Sequence, residues 1–170
     1  MKLKIKLTII FLILFIAFLS AEEIELAIKY LGISVVKVKM INVDNRLTVH
    51  ASSTSIASIA SKMDNLYIIN YTDDYLPVKY TKKINQKKYA EDRETIYNRE
   101  IRKAERTSFI DPAKSCEYTI NETSRDFFSS LFFLRDVIDN NEGEVWLDAN
   151  KLIWKAHYKK IGEEIIKTPL

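Results

Sequence analysis

The chain has 170 residues, a length typical of one domain, and its 47% hydrophobic and 29% charged residues match an ordinary globular protein. Its three glycines lie far apart, which excludes the glycine-rich loops that bring backbone close to nucleotide phosphates. Cys116 is the only cysteine, which excludes a disulfide within the chain, and the net charge is +3.

The N-terminal segment has the three parts of a secretory signal peptide. Three lysines precede a 13-residue apolar run, Leu7–Leu19, and small residues then precede the acidic Glu22. Because this run is shorter than the roughly 20 residues of a membrane-spanning helix, we predict cleavage after Ala21. The alternative is an uncleaved N-terminal anchor. The predicted organisation is a signal peptide, residues 1–21, followed by a single β-rich exported domain, residues 22–170.

Removal of the predicted signal peptide changes what the charge indicates. Three of the 26 basic residues lie in it and none of the 23 acidic residues does, so the exported domain would be neutral. The basic balance of the whole chain is therefore no indication of a nucleic-acid partner, and we predict none. The expected location is the periplasm or cell envelope.

Alternating apolar and polar residues predict two strands in Glu23–Val43, separated at Gly32. The first strand would turn Leu26, Ile28 and Tyr30 towards a core and its charged residues towards water.

The next segment combines a turn, two strands and a short helix. Asp44-Asn45 predicts a hairpin turn, because both residue types tolerate positive φ. Strands are predicted in RLTVHASS and LYIINYT. Between them, the apolar spacing predicts a helix that one of three hydroxyl residues would cap: Ile56, Ile59, Ala60 and Met63, with Ser53, Thr54 or Ser55 as the cap.

A polar segment from Pro77 to Arg106 predicts long, mostly exposed antiparallel strands at a sheet edge. Between Lys79 and Arg106 there are ten Lys/Arg and five Asp/Glu residues. Lysine on an edge strand prevents pairing with other sheets. The functional alternative is contact with an anionic lipid or a cell-wall polymer.

An aromatic helix is predicted within SRDFFSSLFFLRDVID, Ser124–Asp139, with Ser124 as N-cap. Its helical spacing places four apolar residues on one face, with two further phenylalanines beside them: Phe127, Leu131, Leu134 and Ile138, then Phe128 and Phe132. The uncharged interior is too short to span a bilayer, so we expect the helix to pack on the concave face of the sheet.

The C-terminal part predicts two strands joined near Asp148–Lys151, and a third starting at Ile165. Trp146 and Trp154 lie on the two neighbouring strands. With Phe128 and Phe132 they form the candidate apolar ligand face, for which the alternative is ordinary core packing.

Catalytic and metal-binding patterns are sparse. His50 and His157 lie far apart and have no cysteine, histidine or acidic cluster at ligand spacing. We therefore predict no catalytic residue, no metal and no cofactor. The alternative is a cell-envelope hydrolase that uses acids such as Asp136 and Glu144.

Four stretches resemble the exported bacterial domain-of-unknown-function 3108 family: IKYLGISVVKVKM, YLPVKYTKKI, DFFSSLFFLRD with its Leu134-Arg135 pair, and KKIGEEIIKTPL. The resemblance implies an α+β fold, with a strongly curved antiparallel sheet packed on one or two helices. Such a sheet is similar to the half-open barrels of periplasmic lipoprotein carriers. Family members usually continue beyond a TPLG-like stretch, so we expect a shortened member or a truncated reading frame that lacks the C-terminal strands.

These features together predict an exported, non-enzymatic protein that binds a lipid, an acyl chain or an envelope protein. Contact with a membrane would be peripheral or through the export signal alone. A purely structural interaction module is the remaining alternative.

Overall fold

The computed structural model describes residues 21–140 and 142–162. The predicted signal peptide up to Ser20 and the strand expected from Ile165 lie outside these residues. Ala21 is exposed and directly precedes the first strand.

Eight consecutive strands form one antiparallel sheet in which every strand pairs with the next along the chain. They are β1 (Glu22–Tyr30), β2 (Ile33–Val43), β3 (Arg46–Ser53), β4 (Met63–Tyr71), β5 (Pro77–Gln86), β6 (Tyr89–Asn98), β7 (Lys103–Ser108) and β8 (Cys116–Thr119). The edge strands are β1 and β8.

Two helices and a separate hairpin complete the described fold. Helix α1 (Ser55–Ala60) connects β3 to β4, and helix α2 (Phe127–Val137) follows the sheet. Strands β9 (Glu142–Ala149) and β10 (Leu152–Lys159) form the hairpin. The predicted α+β class, dominated by antiparallel sheet, is confirmed.

Turn residues fix the register at the start of the sheet. Asp44 and Asn45 both have positive φ, 49° and 58°, which matches the right-handed twist of the strands that they join. Gly32 has φ 80°, a value that L-residues rarely adopt. The hairpin turn and the break at Gly32 predicted from the sequence are therefore both confirmed.

The two faces of the eight-stranded sheet differ in polarity. Ion pairs link neighbouring strands on the face that we call the outer face, including Lys39–Glu23 at 2.6 Å and Lys79–Glu94 at 2.8 Å. The opposite, inner face carries the row Met40, Val49 and Tyr67, which are cross-strand partners. The core therefore lies on the inner face, where α2 and the hairpin cover it.

Helix α2 packs on the inner face of β2, β3 and β4. Phe132 is buried there in one cluster with five sheet residues: Met40, Leu47, Val49, Ile69 and Tyr71. Phe128 packs beside it, with its ring centroid 4.9 Å from that of Tyr67. The expectation that the aromatic helix packs on the sheet is thus met by these contacts.

The buried face of α2 differs from the predicted one. Phe127 and Leu131 are exposed, whereas Ser129, Ser130 and Phe132 are buried. The serine hydroxyls donate to carbonyl oxygens in the preceding turn, Ser130 to Phe127 at 2.7 Å. Because the helix itself satisfies these hydroxyls, the serines can be buried, which a pattern built on apolar residues alone misses.

The N-cap of α2 also differs from the prediction. Asp126, not Ser124, occupies that position, and its carboxylate accepts hydrogen bonds from the backbone N–H groups of Phe128 and Ser129 at 2.8 and 3.2 Å. Ser124 lies earlier, where its hydroxyl donates to the Asn121 carbonyl at 2.8 Å.

Three further expectations are corrected. Strands β5, β6 and β7 lie inside the sheet and not at its edge, and Arg93 and Arg106 are buried. Leu26, Ile28 and Tyr30 on β1 are exposed, because α2 and the hairpin cover other parts of the inner face. The first helix ends at Ala60, so that Met63 belongs to β4.

The hairpin is held beside α2 by backbone and side-chain bonds. The Arg125 N–H donates to the Trp146 carbonyl at 2.8 Å, and the Asp148 N–H donates to the Arg125 carbonyl at 2.7 Å. The buried Asp148 carboxylate also accepts hydrogen bonds from the Tyr97 and Tyr118 hydroxyls at 2.9 and 2.5 Å. These bonds fix the hairpin on the inner face of β6, β7 and β8.

Candidate functional site

The four aromatic residues predicted as a ligand face occupy three different environments. Phe128 and Phe132 lie in the core between α2 and the sheet. Trp146 is opposite Lys155 in the hairpin register, and Trp154 is opposite Leu147, so the two indole rings lie on opposite faces of the hairpin. The structure therefore brings the two phenylalanines together but does not form one apolar pocket from all four residues.

The two acids named for a hydrolase each have a cationic partner. Asp136 on α2 accepts hydrogen bonds from the Tyr75 hydroxyl at 2.6 Å and from Arg135 at 3.5 Å. Glu144 on β9 forms an ion pair with Lys155 at 2.5 Å, and the His157 ring nitrogen Nδ1 lies 3.5 Å from the same carboxylate. The hydrogen bond from Lys155 is the main reason why the pKa of Glu144 is lowered.

Each histidine lies beside one carboxylate, His50 beside Asp64 and His157 beside Glu144. His50 lies 2.5 Å from Asp64 on the outer face of the sheet. Within residues 21–140 and 142–162, no group of three or more histidine, cysteine and acidic side chains is placed to hold a metal ion.

One end of the sheet concentrates exposed apolar side chains. In an antiparallel meander, successive connections alternate between the two ends of the sheet. Four connections therefore lie along the same end: residues 31–32, 54–62, 87–88 and 109–115. We call this the apolar end. Eight large apolar side chains there are at least half exposed: Tyr30, Leu31, Ile33, Ile56, Ile59, Tyr89, Phe109 and Ile110. Leu31 and Ile59 expose 85% and 86% of their surface.

The two ends of the sheet also differ in charge. The four connections at the apolar end contain four lysines and a single acid: Lys62, Lys87, Lys88 and Lys114, with Asp111. The connections at the opposite end, residues 44–45, 72–76, 99–102 and 120–126, contain six acids and three arginines. Ile101 is the exposed large apolar residue of those connections. The described sheet is therefore dipolar, with one end apolar and basic and the other polar and acidic.

Of the apolar end, only Lys87, Lys88 and Tyr89 fall within a segment that the sequence analysis connects with an anionic lipid, and none of its exposed residues belongs to the predicted ligand face. The signal that could have identified them is the occurrence of apolar residues in turns beside lysines, as in Ile59, Lys62 and the Phe109-Ile110 pair. A turn normally carries polar residues, because it is surrounded by water. Recognising that alternate turns share one end requires the meander topology, which the sequence pattern left open.

Comparison with protein-family models, with curated proteins and with solved structures gives no match for this chain. Among the described helices, none is long and apolar enough to cross a membrane.

Proposed function

We propose that this is an exported cell-envelope protein that binds the surface of an anionic lipid bilayer without catalysing a reaction. The observation that carries the proposal is the apolar end, where exposed apolar side chains lie in the same connections as lysines or next to them. Exposed apolar patches on a soluble surface indicate contact with a partner or a membrane, and lysines beside them favour an anionic one.

The physical argument combines two modest contributions. Transfer of an exposed isoleucine or phenylalanine out of water contributes about 25 cal/mol per Å² of buried apolar surface. A lysine close to an anionic membrane surface contributes about 1 kcal/mol. Several such contributions at one end of the sheet would support reversible docking, while the acidic connections at the other end would orient the molecule by repulsion.

The proposal includes export and the finer details of the fold. Because β1 begins at Glu22, cleavage after the exposed Ala21 would leave every described element intact. The proposed sheet shape is a half-open barrel similar to that of periplasmic lipoprotein carriers, as the family resemblance implies. Support comes from the eight-stranded meander with one face covered by α2 and by the hairpin.

The test is cosedimentation of the purified protein with phosphatidylcholine vesicles that contain or lack phosphatidylglycerol. Ile59→Asp changes an exposed residue of the apolar end, and Ile101→Asp makes the same change at the opposite end. We expect Ile59→Asp to weaken binding to the anionic vesicles about tenfold or more and Ile101→Asp to leave it unchanged. Equal effects of the two variants, or binding that does not depend on anionic lipid, would reject the proposal.

A further inference from the structure

A basic pocket of about 290 Å³ opens on the inner face near the apolar end. It is formed by β6, β7, the 3-10 turn Pro112–Lys114 and the turn between β9 and β10. Its charged lining comprises four cations and one carboxylate: Arg93, Arg106, Lys114, Lys151 and Glu91.

The elements around the pocket hold its cations in place. Arg93 on β6 is the cross-strand partner of Ser108 on β7, so both belong to the inner face. The Arg93 guanidinium donates to the Asn150 side chain at 3.4 Å, which links the turn of the hairpin to the sheet. Lys151 follows in that turn with a φ of 73°, at the rim of the pocket.

Arg106 is the unusual member of this set. Arg93 and Arg106 are both buried, 8% and 6% exposed, and among the described residues neither Nε has a hydrogen-bond partner, but Arg93 forms an ion pair with Glu91 whereas Arg106 lacks an acidic partner. The Arg106 guanidinium lies over the ring of Tyr118, 5.4 Å from the centroid, and no carboxylate among the described residues forms an ion pair with it. A buried cation without an acidic partner is costly, so Arg106 has capacity for an anion that the described residues do not supply.

The acids near the pocket are already engaged. Glu91 forms ion pairs with Lys82 at 2.9 Å and with Arg93 at 2.7 Å. Lys114 pairs with the exposed Asp111 at 3.2 Å. Asp148 accepts hydrogen bonds from the Tyr97 and Tyr118 hydroxyls. The pocket therefore retains an excess of positive charge around Arg106.

We propose that this basic pocket binds a phosphate-type oxyanion, with Arg106 as its main ligand and Lys114 and Lys151 at its mouth. The planar guanidinium matches phosphate oxygens in a two-point hydrogen-bonded geometry, and the lysines add point charges. The phosphate is either free or part of a lipid headgroup. The lipid source rests on the proposed function, whereas the site itself does not.

The test is calorimetric titration of inorganic phosphate into the full chain, expressed for export, at constant ionic strength. Arg106→Lys keeps the buried positive charge but removes the planar guanidinium that can donate two hydrogen bonds to one phosphate. Lys151→Gln removes the charge of an exposed side chain at the rim of the pocket. Lys103→Gln, on the outer face of β7, is the charge-matched control. We expect saturable binding by the unchanged protein, a loss of affinity of about tenfold in Arg106→Lys and about fivefold in Lys151→Gln, and no change in the control.

A second arm identifies the source of the phosphate. Competition between inorganic phosphate and phosphatidylglycerol vesicles would assign the site to a lipid headgroup, and phosphate binding without competition would assign it to free phosphate. Phosphate binding in the absence of any vesicle binding would reject the proposed function and retain the site. Absence of saturable phosphate binding, together with vesicle affinity that is equal in Lys151→Gln and Lys103→Gln, would overturn the site.

Discussion

Two buried carboxylates accept hydrogen bonds within the elements that cover the sheet or between them and the sheet. Asp126 is 3% exposed and caps α2, and Asp148 is 8% exposed and links the hairpin to Tyr97 and Tyr118. Burial raises the pKa of Asp126, although hydrogen bonds from Ser129 and Phe128 oppose that shift. Burial, followed by the Asp148 charge, raises the pKa of Tyr118, so that its hydroxyl stays a donor at neutral pH. Both acids thus act as hydrogen-bond acceptors for specific neighbours.

Removal of the cap should weaken α2. Asp126→Ala leaves the Phe128 and Ser129 N–H groups without their acceptor, and we expect a loss of about 1–2 kcal/mol in the free energy of unfolding. Asp126→Asn, which keeps a capping oxygen, should lose less. Urea denaturation measures both, with Asp139→Ala on the exposed end of the same segment as the control. An Asp126→Ala protein as stable as the control would show that the cap is not needed.

Glu91 should make stability depend on acidic pH. Burial by itself would raise its pKa, but hydrogen bonds from Lys82 and Tyr89 and the charge of Arg93 together lower the pKa below its ordinary value of 4.5. Because the folded-state pKa is the lower one, ionised Glu91 stabilises the fold above about pH 4.5, and this contribution disappears as the pH falls through the lowered pKa.

Glu91→Gln should therefore reduce the free energy of unfolding by about 2 kcal/mol near neutral pH, and the reduction should shrink as the pH falls below 4.5 and through the lowered pKa of Glu91. Denaturation curves of the two proteins across that range measure the difference. Glu105→Gln, an exposed carboxylate on β7, should show little effect at any pH. A difference between Glu91→Gln and the unchanged protein that stays constant with pH would contradict the assignment of this ion-pair cluster.

At the scale of the elements, α2 offers a matched comparison of two phenylalanines. Phe132 is buried against β2, β3 and β4, and Phe127 is 61% exposed. We expect Phe132→Ala to cost about 3–5 kcal/mol and Phe127→Ala to cost about 0.5 kcal/mol or less. Thermal or chemical unfolding of the two variants measures this. A larger loss of stability in Phe127→Ala than in Phe132→Ala would contradict the observed burial and would favour the helix face that the apolar spacing predicts.

The periodicity of the sequence was sufficient to predict most helices and strands, but it did not predict which of their residues are buried or where each strand lies in the sheet. Alternation predicted the first strands, and Asp44-Asn45 predicted their turn, because both signals depend on residues adjacent in sequence. The burial of Ser129 and Arg106 depends on contacts between distant segments, which no local pattern contains. For the same reason the sequence suggested an edge position for β5 to β7, which the sheet order contradicts.

The candidate site was less predictable than the fold. Whether Trp146 and Trp154 share a face depends on the register of the hairpin, and that register is set by the turn at Asn150 and Lys151, both with positive φ. The pair Asn-Lys is a weaker sequence signal for such a turn than the pair Asn-Gly. The apolar end arises only when four connections far apart in sequence come together through the meander.

At the scale of the whole molecule, the central claim is that the apolar end contacts lipid while the acidic end faces away. The outer face carries ion pairs between strands, and α2 and the hairpin cover the inner face of β2–β4 and of β6–β8 but leave β1 exposed. The two ends of the sheet therefore differ most clearly in polarity and charge. Electrostatic attraction should weaken as salt shortens the screening distance, while apolar contact persists. Because the two ends differ, we expect docking in one orientation, with lipid contacts confined to the four connections of the apolar end.

Amide hydrogen exchange of the full chain, with and without phosphatidylglycerol vesicles, tests this claim most directly because it requires no substitution. We predict slower exchange on vesicles in residues 31–32, 54–62, 87–88 and 109–115, and unchanged exchange in residues 44–45, 72–76 and 99–102. Phosphatidylcholine vesicles should produce much smaller changes. Protection at the acidic end, or no difference at the apolar end despite bound vesicles, would contradict the account.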